Sequence, residues 1–159
     1  MYYSGITAPD IANGTGCRVV LWVSGCNHHC IGCHNKETWD YKHGLLFNND
    51  AITILDKWLQ KSYISGLTLS GGDPLDRNEE ELLEILDLCK SIKYKYPNKN
   101  IWIYTGYTFE SLKGTQLEIL KYCDVLVDGP YIESLRDLSL PFRGSTNQRI
   151  INLQDVNDK

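Results

Sequence analysis

The chain has 159 residues, 42% hydrophobic and 23% charged, with a formal net charge of −4. That length suits one domain over residues 1–159 with a real core, and the acidic balance argues against direct nucleic-acid binding. No basic region leads into an apolar run at the start and no apolar stretch approaches a bilayer's thickness, so neither a signal peptide nor a membrane span is expected, and the cytoplasm is the expected compartment.

Arg18–Ser24 reads as the first strand, a short apolar run. Residues 49–61 carry Ile52, Leu55 and Leu59 at helical spacing, with Asn48, Asn49 and Asp50 available to cap. Ile64–Ser70 reads as the second strand. Residues 79–95 are the clearest helix: Asn78 stands at its cap and Glu81 follows three residues on, as in a capping box. Glu79, Glu80 and Glu81 at its start and Lys90, Lys93 and Lys95 near its end suit the helix dipole. Leu82, Leu86, Cys89 and Lys93 trace one face, which Leu83 and Ile85 widen toward the core. Asn100–Thr105 reads as a third strand, Thr108–Tyr122 as a helix weakened by Gly114, Cys123–Val127 as a fourth strand, and Gln148–Leu153 as a candidate fifth. Strands alternating with helices imply an α/β fold with a mostly parallel sheet. A complete eight-unit barrel takes about 250 residues, so an open sheet or a partial, open (β/α) barrel is expected.

Cys26, Cys30 and Cys33 fall within eight residues, just after the first strand, with no fourth cysteine at a matching interval. In a reducing compartment, clustered thiols read as metal ligands rather than disulfides. A closed zinc site needs four ligands, and an iron–sulfur cluster held only by protein usually has four thiolates. Three leave one metal position open, where a substrate or cofactor can bind. A small zinc loop that recruits His28, His29 or His34 stays open as an alternative. Trp22, Val23 and Ile31 are candidates to shield a cluster, and core packing explains them equally well. Cys17, Cys89 and Cys123 read as buried small hydrophobes.

Gly71-Gly72-Asp73-Pro74 follows the second strand. The glycine pair lets a ligand approach the backbone, whose amides can donate, and Asp73 suits an amino-bearing ligand; a plain strand-to-helix turn is the other reading. No Gly-Lys-Ser/Thr follows, so this is not a phosphate loop. Thr105–Tyr107 follows the third strand and Asp128–Tyr131 the fourth. All four motifs fall at the carboxyl ends of parallel strands, the edge where such sheets bind ligands. The histidines read as loop residues rather than catalysts, and no catalytic side chain stands out. Arg143–Arg149 (RGSTNQR) is either a solvated loop or a recognition segment.

The cysteine spacing together with Gly-Gly-Asp-Pro resembles the radical S-adenosylmethionine superfamily. Residues 13–16 (NGTG), 21–26 (LWVSGC), 32–35 (GCHN), 38–39 (TW), 70–74 (SGGDP), 128–131 (DGPY) and 143–149 (RGSTNQR) narrow the resemblance to the activating-protein family of anaerobic ribonucleoside-triphosphate reductases. Gly32 stands where many superfamily members carry an aromatic residue, which fits the short family better, and Thr15 stands where proline is more usual. The resemblance implies that Cys26, Cys30 and Cys33 ligate a 4Fe-4S cluster and that S-adenosyl-L-methionine chelates the open iron. Backbone around Gly32, Cys33 and His34 would contact its adenine, and Gly71, Gly72, Asp73 and Pro74 its amino group. One electron would cleave the sulfonium to methionine and a 5′-deoxyadenosyl radical, which would abstract hydrogen from a glycine of the large reductase subunit. The implied partners are that subunit and an electron donor such as flavodoxin, with homodimerisation left open.

Overall fold

The computed structural model describes residues 1–33 and 36–154. Seven strands form one open sheet in the order β3-β1-β2-β4-β5-β6-β7. They are β1 (Tyr2–Asp10), β2 (Cys17–Val23), β3 (Leu45–Leu46), β4 (Ile64–Gly71), β5 (Asn100–Tyr104), β6 (Val125–Asp128) and β7 (Arg149–Asn152). The central strands β2, β4, β5 and β6 run parallel, whereas β1, β3 and β7 add antiparallel edges. The expected α/β class with a largely parallel sheet is present, and the sheet does not close. No helix among the described residues is long and apolar enough to cross a membrane.

Two strands went unforeseen. β1 contains Gly5 and Pro9, both poor strand formers, and Pro9 falls where its register with β2 shifts, between Thr7 and Asp10. β3 is only two residues long and both are exposed.

Three helices, α1 (Asn49–Leu59), α2 (Glu79–Lys95) and α3 (Thr115–Leu120), cover one face of the sheet. Ala51, Leu55 and Leu59 of α1 and Ile85, Cys89 and Ile92 of α2 join Val19, Leu21, Val23, Leu67, Leu69, Ile101 and Ile103 in one core. Each buried leucine or isoleucine contributes about 1.5–3 kcal/mol. The Asn48 side chain caps α1, accepting from the Asp50 amide at 3.0 Å. Asn78 caps α2 through the Glu81 amide at 2.9 Å, but the Glu81 carboxylate pairs with Arg77 at 2.8 Å instead of closing the capping box. Leu83, expected inward, is 46% exposed; Leu88 and Ile92 are buried instead. The expected helix over Thr108–Tyr122 breaks in two: a single 3-10 turn at Phe109–Ser111, then α3. The break is Gly114, whose φ of +58 is left-handed and cannot continue a right-handed helix.

The opposite face of the sheet carries the residues of alternate register, Arg18, Thr68, Trp102 and Tyr104. Arg18 is fully buried and lacks a carboxylate partner in the described structure. It bonds Thr68 Oγ1 at 2.7 Å and the carbonyls of Leu67, Thr15 and Asn100, and lies 5.6 Å from the Trp102 ring centre. Burial lowers its pKa to about 10. It fills this face at the amino end of the parallel strands, away from the edge where the motifs gather.

Candidate functional site

The loops after β2, β4, β5 and β6 meet at the carboxyl edge. Cys26, Cys30, Cys33, Gly71, Gly72, Asp73, Thr105, Gly106, Gly129 and Tyr131 line one cavity of about 150 Å³. The structure thus brings six of the nine expected site residues to one cavity. Pro74 is buried immediately beside them. His34 lies outside the described residues.

The cysteine loop is held from both sides. The Cys26 amide donates to the Trp39 carbonyl at 3.2 Å and the Cys33 amide to Cys30 at 3.1 Å. His29, with a left-handed φ of 48, stacks on Trp39 with ring centres 4.2 Å apart. Gly32 sits in the turn between Cys30 and Cys33, with the Glu133 carboxylate against it. Burial pushes the Cys26 thiol up to about 12, a value a coordinated metal reverses by taking the thiolate.

The Gly71–Pro74 segment acts differently from expectation. Its amides do not point at a ligand: Gly72 N donates to Val23 O at 2.8 Å and Asp73 N to Gly25 O at 2.7 Å. A Cβ on Gly72 would come 2.4 Å from the Gly25 carbonyl oxygen. Close backbone approach is what this glycine provides, but toward the cysteine loop. The Asp73 side chain is buried and fully engaged. Its Oδ1 accepts from the Leu75 amide at 2.8 Å, and its Oδ2 from Thr105 Oγ1 at 3.0 Å, the Gly106 amide at 2.9 Å and His28 Nε2 at 2.7 Å. It is a knot between three loops.

His28 is the residue that sequence reasoning undervalued. Besides Asp73 it meets Gly106 and lies edge-on to Tyr107, ring centres 4.7 Å apart. The hydrogen bond to Asp73 raises its pKa above the ordinary 6.5. Asp76, Tyr107, Tyr41 and Arg77 were missed as well. Asp76 accepts from the Asn27 amide at 2.7 Å and Tyr107 OH at 2.9 Å, and its carbonyl takes Tyr41 OH at 2.6 Å. Arg77 donates to the carbonyls of Asp73 and Ser24. The second acid three residues after Asp73 was the one available sign.

The donor set bears on the choice between a single ion and a cluster. Among the described residues, the ligand atoms close enough for one ion are those of Cys26, His28 and Asp76, within 4.8 Å of one another. The His28 Nε2 and both Asp76 oxygens are already hydrogen-bonded, so this trio makes a poor zinc site. Cys30 and Cys33 stand outside it. Three thiols that line one cavity without converging on a point fit the corners of a larger cluster. Of the candidate shields, Val23 is buried in the core and Ile31 is 84% exposed. Cys89 and Cys123 are buried as expected, whereas Cys17 is half-buried.

The last two motifs are laced together. Asn147 Nδ2 donates to Pro130 O at 2.7 Å and Gln148 Nε2 to Gly129 O at 3.1 Å. Arg149 pairs with buried Asp128 and with exposed Glu110, at 2.5 and 2.7 Å. Their shared surface walls a second cavity of about 470 Å³ that also touches Cys33, Ser70 and Tyr104.

Comparison with known proteins shows the family. The chain matches the family described as "4Fe-4S single cluster domain" over residues 12–151. It is similar to the anaerobic ribonucleoside-triphosphate reductase-activating protein of Enterobacteria phage T4, at 49% identity covering 94% of this chain and 93% of the relative. The proteins of that name from Pasteurella multocida and Escherichia coli K12 are 42% and 39% identical, covering 94% and 97% of this chain and 96% and 100% of the relatives. With identity of this level over nearly its whole length, the chain belongs to the family of anaerobic ribonucleoside-triphosphate reductase-activating proteins.

Proposed function

We propose that this chain holds a 4Fe-4S cluster on Cys26, Cys30 and Cys33, binds S-adenosylmethionine at the remaining iron, and installs a glycyl radical on an anaerobic ribonucleoside-triphosphate reductase. The observation that carries the reading is the cavity in which three non-converging thiols face the Gly71–Asp73 segment at the carboxyl edge. With one electron from a donor such as flavodoxin, the chemistry supplied there is cleavage of the sulfonium to methionine and a 5′-deoxyadenosyl radical that takes hydrogen from a partner glycine.

The chain's own residues bind and position. Cys26, Cys30 and Cys33 supply thiolate. Because the Gly72 and Asp73 amides bond Val23 and Gly25, and the Asp73 carbonyl takes Arg77, what Gly71–Pro74 offers a ligand is the carbonyl oxygen of its other residues, suited to an ammonium group. The backbone at Gly32–His34 is our candidate for the adenine contact. His28, Asp73 and Asp76 fix the loops relative to one another, so the geometry is set before a ligand arrives.

The open sheet, which we read as a partial barrel, leaves the active edge uncovered on one side. Ile31 and Leu138, 84% and 83% exposed, stand on loops beside the cavities and suit a protein partner that covers them. The test is to mix the reduced protein, S-adenosylmethionine and the reductase. A glycine-centred doublet in electron paramagnetic resonance is expected. Cofactor cleavage without any radical on the reductase would overturn the partner assignment.

A further inference from the structure

The larger cavity beside Cys33 is lined by Arg143, whose Nε has no hydrogen-bond partner among the described residues. Trp22, Tyr104, Tyr131 and Phe142 give the cavity aromatic walls, and Arg143 is the one charged side chain among the described residues that line it. Its Nε is buried without a hydrogen-bond partner, and no carboxylate among the described residues pairs with it. Other arginines differ: buried Arg18, Arg77 and half-exposed Arg149 are each held by several acceptors. A buried donor left unmatched is costly and calls for an acceptor.

The backbone that carries Arg143 is held in place. Phe142 has a left-handed φ of 62, uncommon for an aromatic residue. Its carbonyl accepts from Tyr104 OH at 2.6 Å, and its ring lies edge-on to Trp102, centres 5.4 Å apart. Such conformations persist where surrounding contacts enforce them and cluster at binding sites. Arg143 is thus carried at the cavity wall on a backbone fixed from below.

We infer that Arg143 binds the α-carboxylate of S-adenosylmethionine. This rests on the proposed function. The two cavities share Cys33, Ser70, Tyr104, Tyr131 and Gln148, so a molecule seated at the cluster reaches both. Its amino group suits the carbonyls after β4. Its carboxylate is its only anionic group and suits a guanidinium in a cavity without competing acids.

The test compares two ligands on cluster-loaded, unreduced protein by equilibrium binding: S-adenosylmethionine and its decarboxylated analogue. Arg143→Gln is expected to weaken binding of S-adenosylmethionine at least tenfold and of the analogue less than twofold, at unchanged iron content. Arg143→Lys, which keeps the charge and guards against a folding defect, is expected to fall between. Equal losses for both ligands, or wild-type affinity for S-adenosylmethionine in Arg143→Gln, would overturn the inference; in the latter case loss of the glycyl radical alone would move Arg143 to the partner's side. Wild-type protein that binds neither ligand would instead remove the underlying cofactor reading.

Discussion

His28 Nε2 lies 2.7 Å from Asp73 Oδ2, and this contact joins the metal loop to the loop after β4. The same oxygen takes Thr105 Oγ1 and the Gly106 amide from the loop after β5. One buried carboxylate therefore sets the relative position of three of the four loops at the active edge. Asp73→Asn keeps the shape but turns part of an acceptor site into a donor. It is expected to destabilise the cluster-free protein by about 2–4 kcal/mol, read by denaturant unfolding. His28→Ala removes one of the four donors to this carboxylate, so a smaller loss is expected. Equal losses would show that His28, not Asp73, is the centre of the knot.

Gly72 makes a second contact between the same loops. An added Cβ would meet Gly25 oxygen at 2.4 Å and its nitrogen and carbonyl carbon at 2.8 Å, all backbone atoms one residue before Cys26. Gly72→Ala is expected to cost about 1–3 kcal/mol through overpacking and to lower the iron retained after reconstitution. Full iron content with weakened S-adenosylmethionine binding would instead mean that Gly72 faces the ligand.

The strand-then-loop order made much of this legible in the sequence. Each motif sits directly after an apolar run, and parallel topology carries all such loops to one edge. The thiol trio and Gly-Gly-Asp were visible for that reason. The roles within the edge were not. That the Gly72 amide grips Val23, or that His28 reaches Asp73, depends on β2 and β4 being neighbours in the sheet, which local pattern does not encode. β1 was hidden by Gly5 and Pro9, and the break at Gly114 needed its backbone angle to be seen.

Cys26 offers a chemical check. Burial holds its thiol up to about 12 in the cluster-free protein, so little reactive thiolate exists at pH 8. Alkylation of Cys26 by iodoacetamide, followed by mass spectrometry, is expected to be on the order of 1,000-fold slower in folded than in denatured protein. Rates within a few-fold of each other would show that the thiol is not shielded.

Arg149 and Arg143 separate by mechanism although they share a motif. Arg149 neutralises Asp128, whose side chain is 1% exposed and which otherwise keeps only the Phe109 amide. Arg149→Ala is expected to cost about 1–3 kcal/mol, less than for a fully buried pair because the guanidinium is half exposed. The Glu110 arm of the pair is exposed, and Glu110→Gln is expected to leave stability almost unchanged. A larger loss from Glu110→Gln than from Arg149→Ala would reverse the assignment.

Anaerobic reconstitution with iron and sulfide, followed by metal analysis and reduction in the presence of S-adenosylmethionine, tests the three-thiol site most directly. About four irons per chain and formation of 5′-deoxyadenosine are expected. Both should vanish in Cys26→Ser, Cys30→Ser and Cys33→Ser and persist in Cys89→Ser and Cys123→Ser. A single zinc per chain, with no sulfide and no 5′-deoxyadenosine, would contradict it.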